Sequence, residues 1–103
     1  MMNQDFVKLD HFDGTNYTPW QNKLRFFLTP MKVFYVLDPT LGPIPESTTE
    51  VDYEELKEER NKRQEDELLC RGYILNTLSD RLYDLYTDNP SAIEIWKALE
   101  YKF

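Results

Sequence analysis

The sequence predicts an all-α fold, a small bundle of about five helices led by an extended N-terminal arm. Three observations carry that expectation. Apolar residues recur at the 3.6-residue helical period in several separate runs. Turn formers are scarce, with three glycines and six prolines in 103 residues, and three of those prolines fall within positions 39–45. Helix-capping patterns stand at the head of the runs. A chain of this length that is 41% hydrophobic suffices for one domain, residues 1–103, around a single modest core.

Residues 1–16 are expected to form an arm and a turn, from Phe6-Val7-Lys8-Leu9 into Phe12-Asp13-Gly14-Thr15-Asn16. Thr18-Pro19-Trp20-Gln21 then predicts a helix start. Thr18 is the expected cap, Pro19 the first helical residue and Gln21 the capping-box partner. Tyr17, Trp20, Leu24, Phe27, Leu28 and Met31 share one face of this helix, and Asn22, Lys23 and Arg25 lie elsewhere. Phe26 stands off the stripe, on the polar side. Pro30 should interrupt the helix, because proline lacks an amide donor and clashes with the preceding turn. Thr29-Pro30 can also open a short second helix through Val33, Phe34, Val36 and Leu37. Residues 38–50 are too rich in proline to be anything but a loop.

A long helical run begins at about Val51. Glu58 with Lys62, Glu59 with Arg63, Lys62 with Asp66 and Arg63 with Glu67 form an i,i+4 ladder. A run this polar should project into solvent or pack on a narrow seam near Leu56. The character changes at Leu68. Leu68, Leu69, Cys70, Tyr73, Ile74, Leu75 and Leu78 cover most of the circumference, which predicts a central, buried helix. Gly72 within it predicts a close helix crossing. Ser79 should cap a short helix through Leu82, Leu85 and Tyr86, which Asp88-Asn89-Pro90 ends. Ser91 and Glu94 form a second capping box, followed by the stripe Ala92, Ile95, Trp96, Leu99 and Phe103. The run ends about three turns into this helix, as expected of one half of a longer assembly.

Charge is unevenly distributed. Residues 46–67 hold ten acidic and four basic residues, a net of −6, out of −7 for the chain. Phosphate binding needs clustered Lys and Arg, so direct nucleic-acid binding is not expected. Cys70 is the only cysteine and His11 the only histidine, too few for an intrachain disulfide or a Cys/His zinc site. No apolar run is long enough for a membrane span, and the first residues lack a signal-peptide pattern. A cytoplasmic location is expected, with the nucleus as the other possibility. Neither a cofactor nor a metal is predicted.

Little in the sequence supports catalysis, and none is expected. Asp80 and Asp84 are carboxylates at i,i+4, but their expected setting is a solvated helix face, not an acid/base site. Cys70 is expected to be core, with Arg71 pointing elsewhere on the helix, and His11 to be exposed. Trp20 and Trp96 sit centrally in their stripes as core anchors. Phe26, Ile93 and Tyr101 fall outside theirs and are the candidate partner-binding residues.

Phe12-Asp13-Gly14-Thr15-Asn16-Tyr17-Thr18-Pro19-Trp20 resembles the opening motif of Gag polyproteins of Copia-type LTR retrotransposons. That motif is an apolar residue, a Gly, an Asn-Tyr, and a Trp three residues after the Tyr. Further matches follow in order. Val36-Leu37 ends the first helical region, a variable charged stretch follows, and Leu78-Ser79 closes the next helix. The last is Ala92-Ile93-Glu94-Ile95-Trp96-Lys97-Ala98-Leu99-Glu100-Tyr101-Lys102-Phe103. The resemblance spans nearly the whole chain; the acidic stretch 46–67 departs from it.

The resemblance implies an all-helical capsid N-lobe that assembles with itself into virus-like particles. Its motif and core positions here are Gly14, Tyr17, Trp20, Leu24, Phe27, Leu78, Ile95, Trp96 and Leu99. It also implies a C-terminal capsid lobe as partner, and RNA binding by a zinc knuckle outside these residues. Ring contacts join two different patches of the same molecule, and Phe26 is the natural candidate for one. The alternative is a domesticated Gag-derived module that binds a partner peptide in a helical groove near Tyr17, Phe34 or Tyr73.

Overall fold

The computed structural model describes residues 11–45 and 52–103. They form α1 (Tyr17–Leu28), a 3₁₀ helix (Phe34–Leu37), α2 (Tyr53–Asn76), α3 (Asp80–Tyr86) and α4 (Ala92–Lys102). The expected all-α bundle is the observed architecture, with no strand element among the described residues. The expectations for residues 1–10 and 46–51, including Phe6 to Leu9 and the far end of the proline-rich loop, lie outside the described residues.

The core forms where the C-terminal half of α2, α4 and the 3₁₀ helix pack together. Trp20, Leu24 and Leu28 enter it from α1, and Val33, Val36 and Leu37 from the following turn. Cys70, Ile74, Leu75 and Leu78 line the α2 side, Leu82 comes from α3, and Ala92, Ile95, Trp96 and Leu99 come from α4. Both expected stripes therefore face inward, with Tyr17 and Phe27 half-buried against the cluster, except at Phe103, which is 38% exposed.

The arm contributes more than was expected of it. Phe12 is completely buried. Its amide donates to the Thr77 carbonyl (2.7 Å) and its carbonyl accepts from the Ser79 amide (2.8 Å). That one-residue bridge pins the arm to the junction of α2 and α3. The Phe12 ring stacks on Trp20 (centroids 4.9 Å) and meets the edge of Phe103 (4.9 Å). Trp20 in turn lies 6.0 Å from Trp96. Burying a Phe side chain stabilises by about 1.5–3 kcal/mol, so Phe12 is a core residue at a position with no helical period to announce it. Thr77 is the buried polar residue here: its hydroxyl accepts from Trp20 Nε1 (2.9 Å) and donates to the Ile74 carbonyl (2.9 Å). Both of its capacities are thus used.

Gly14 makes the turn possible. Its φ of +104° is a conformation that side chains disfavour, and an added Cβ would stand 3.3 Å from the Phe103 ring. Beside it, the Asp13 carboxylate accepts from the Thr15 amide (2.9 Å) and hydroxyl (2.6 Å). Asp38 and Thr40 repeat the same turn (2.9 and 2.7 Å).

Several expected details are corrected. The first helix starts at Tyr17, and Asn16, not Thr18, is its N-cap residue. Pro19 therefore sits third in the helix, still within the first turn, where no amide partner is required. Ser79 holds the N-cap position of α3 without a side-chain cap bond; its amide is bonded to the arm instead. In α4, Ser91 Oγ accepts from the Glu94 amide (3.3 Å), while the Ser91 amide goes to Asn89 Oδ1 (3.0 Å) and not to Glu94.

The expectation of an all-round buried α2 is also corrected. Leu68 is 67% exposed and Leu69 42% exposed. Among the described residues no helix crosses Gly72, where an added Cβ would meet nothing within 4 Å beyond its own stretch of helix. The helix turns two polar residues toward its neighbours instead. Arg71 donates to the Asn89 (2.8 Å) and Thr87 carbonyls, and the Glu67 carboxylate accepts from the Ala92 amide at the start of α4.

Candidate functional site

The sequence nominated Phe26, Ile93 and Tyr101, and the structure separates them. Phe26 is 79% exposed on α1, turned about 200° from buried Leu24 by helical geometry. Tyr101 is 93% exposed near the end of α4. Ile93 is half-buried against the core and lines a groove of about 300 Å³ with Val36, Leu41, Arg63 and Lys97. The three do not form one patch through that groove, whose lining includes neither Phe26 nor Tyr101.

A larger hollow lies on the open side of α2. It holds about 560 Å³ and is lined by Glu65, Leu68, Leu69, Gly72, Tyr73 and Asn76. Tyr73 forms one wall, its ring held edge-on to Phe27 at 4.8 Å. Periodicity pointed to Leu68 and Leu69 as core, so their surface role was missed. Gly72 gave no such signal, since a mid-helix glycine predicts a close crossing, and only the structure shows that none is made there among the described residues. Of the three residues expected to line a groove, only Tyr73 borders this hollow; Phe34 instead packs edge-on to Trp96 at 5.9 Å.

Two arginines of α2 turn away from this open side. Arg60 donates to the Pro45 carbonyl (3.1 Å) and Arg63 to the Gly42 carbonyl (3.0 Å). Lys62 pairs with Asp66 (2.6 Å), which also accepts from the Tyr35 hydroxyl (2.6 Å). Of the expected ladder Lys62–Asp66 forms, while Arg63 ties down the proline-rich loop. Burial alone would raise the Asp66 carboxyl, but the hydrogen bonds from Lys62 and Tyr35 outweigh it and hold it below its usual value. Burial and the same carboxylate push the Tyr35 phenol up. Glu54, Glu58 and Glu65 are exposed, and helical geometry puts them on the same face as Gly72.

The remaining chemistry-bearing residues are scattered. Asp80 and Asp84 lie exposed on α3 and line none of the grooves described. Burial, with Glu67 and Asp66 nearby, pushes the Cys70 thiol up to about 12, so it stays a neutral core group. His11 is exposed. Among the described residues there is no group of three His, Cys, Asp or Glu side chains placed to hold a metal ion. No described helix is long and apolar enough to cross a membrane. No family model, curated protein or solved structure matches this chain.

Proposed function

We propose that this chain is the N-lobe of a Copia-type Gag capsid and works by homotypic assembly, without catalysis. One observation carries the proposal: three of the four separated segments that resemble Gag supply a single packed cluster. Phe12 and Trp20 come from the first, Leu78 from the second, and Trp96 and Phe103 from the third, with ring centroids 4.9–6.0 Å apart along the aromatic chain and Phe12 bridged to Leu78. A shared motif set that builds one core is what a common fold requires.

Assembly then needs exposed anchors on a stable body. Phe26 and Tyr101 supply aromatic surface away from the core, and weak contacts gain strength through repetition in a shell. A C-terminal lobe is the natural second partner, and the acidic surface makes RNA a partner of other segments. Such particles would form in the cytoplasm. Sedimentation velocity over a wide concentration range tests the proposal: growth toward discrete oligomers supports it, and a strict monomer at millimolar concentration refutes it. The second reading, a Gag-derived peptide-binding module, is favoured by the hollow beside Tyr73; a monomer that binds peptide there would establish it.

A further inference from the structure

We propose that assembled copies of this chain exchange arms, so that Phe12 of one copy docks in the Thr77–Ser79 slot of a second copy. This rests on the homotypic reading above and names a contact for it. The slot and what fills it are both on view. The Phe12 amide donates to the Thr77 carbonyl and its carbonyl accepts from the Ser79 amide. Its ring is fully buried against Trp20 and Phe103. The slot lies where α2 ends and α3 begins, and it takes one extended residue by backbone pairing and one ring by burial, as in strand addition. A second copy carries the same ring and the same backbone groups, so its arm fits as this one does.

The attachment is short and separable. Among the described residues, both hydrogen bonds that run from residues 11–15 to anything beyond Asn16 belong to Phe12. The other bonds of the turn are local: Asp13 with Thr15, and the Asp13 amide with Asn16 Oδ1. Gly14 stands at the centre of the turn with φ +104°, and glycine passes to other conformations at little steric cost. Folded, the Phe12 and Tyr17 rings lie 5.7 Å apart. Opened out, the chain from Phe12 to Tyr17 spans roughly 17 Å. That reach takes an arm from its own slot to one on a copy packed against the start of α1.

Exchange rebuilds the bridge and the ring contacts, so the apolar burial of each chain is unchanged. Its costs are the freedom lost on association and the Asp13–Thr15 bonds, which are exposed and which water replaces. Assembly offsets the first cost, because neighbours already held together meet each other's arms at high local concentration. A dilute chain keeps its arm at home, and an assembled chain shares it. Each copy gives an arm and offers a slot, so the contact closes in a pair or runs round a ring.

Cross-chain disulfide trapping is the test. Asp13 and Ser79 each stand one residue beyond the bridged pair, in register on the parallel bridge. An Asp13→Cys chain is mixed with a Ser79→Cys chain under mild oxidation, at concentrations where wild type associates. Cys70 is buried and its thiol stays neutral, so it does not compete. Asp13→Cys mixed with Lys97→Cys gives the background, since Lys97 lines the groove beside Arg63 and both mixtures share the same loosened turn. The first mixture should cross-link roughly tenfold or more above the second, because a docked arm holds the two thiols at millimolar effective concentration. One dilute chain carrying both Asp13→Cys and Ser79→Cys should close the same disulfide internally. If it closes none, the bridge itself is absent and the proposal falls. If that chain closes and wild type associates, but the first mixture stays at background, arm exchange is wrong while homotypic assembly stands. If wild type stays monomeric at millimolar concentration, homotypic assembly falls and arm exchange with it.

Discussion

The two halves of α2 are one continuous helix held by different physics. From Cys70 to the end, the helix buries Cys70, Ile74 and Leu75 and leads into buried Thr77 and Leu78. From Tyr53 to Asp66, its apolar residues are Tyr53, which is exposed, and Leu56, which is half-buried. That half is tied by side-chain hydrogen bonds to Pro45, Gly42 and Tyr35. Apolar burial scales with area and is large, whereas exposed ion pairs and hydrogen bonds contribute little once water competes. Helical continuity therefore does not imply uniform stability. The C-terminal half belongs to the core, and the N-terminal half is a tethered extension.

The largest expected effect lies at the aromatic centre. Trp20→Ala and Trp96→Ala should each cost about 3–5 kcal/mol, read by urea or thermal unfolding. Wild-type stability in either variant would remove the core half of the comparison. Phe12→Ala should cost about as much and would show that the arm belongs with the core. Next is Gly14→Ala, expected to destabilise by more than about 1 kcal/mol because its φ is positive and Phe103 stands close.

Gly72→Ala should act in the opposite direction, stabilising the monomer by about 0.5–1 kcal/mol, since the added methyl meets nothing and alanine favours helix. Destabilisation there would mean an internal contact exists where none is described.

The smallest effect belongs to the tether. Asp66 has a lowered folded pKa, so its contribution is present above the unfolded value of about 4. That contribution is lost as pH falls through the lower folded value. Asp66→Asn should flatten acid destabilisation in that window and cost under about 1 kcal/mol at neutral pH. A midpoint drop as large as that of Trp20→Ala would break the distinction between the halves.

Periodicity made the helices, the two tryptophan-centred stripes and the exposure of Phe26 legible in the sequence. It failed where a side chain's role depends on a distant segment. Phe12 joins the core through Thr77 and Ser79, more than sixty positions away, and a turn sequence carries no period to show it. Leu68 and Leu69 looked internal because apolar residues surrounded them. The positions that turn to neighbouring elements are instead Glu67 and Arg71, whose partners are backbone groups of the α3–α4 connection and of α4. Backbone partners leave no mark in composition. The hollow was hidden for the same reason: its floor is a missing side chain, and its vacancy depends on where α1 and α4 do not go.

Native-state amide hydrogen exchange along α2 tests the central distinction most directly. Amides from Cys70 to Asn76 should exchange only by global unfolding, while those between Leu56 and Lys62 should exchange much faster, through local opening at lower free energy. Uniform protection along the whole helix would contradict this, and would mean the tethered half is as much a part of the cooperative core as the buried one.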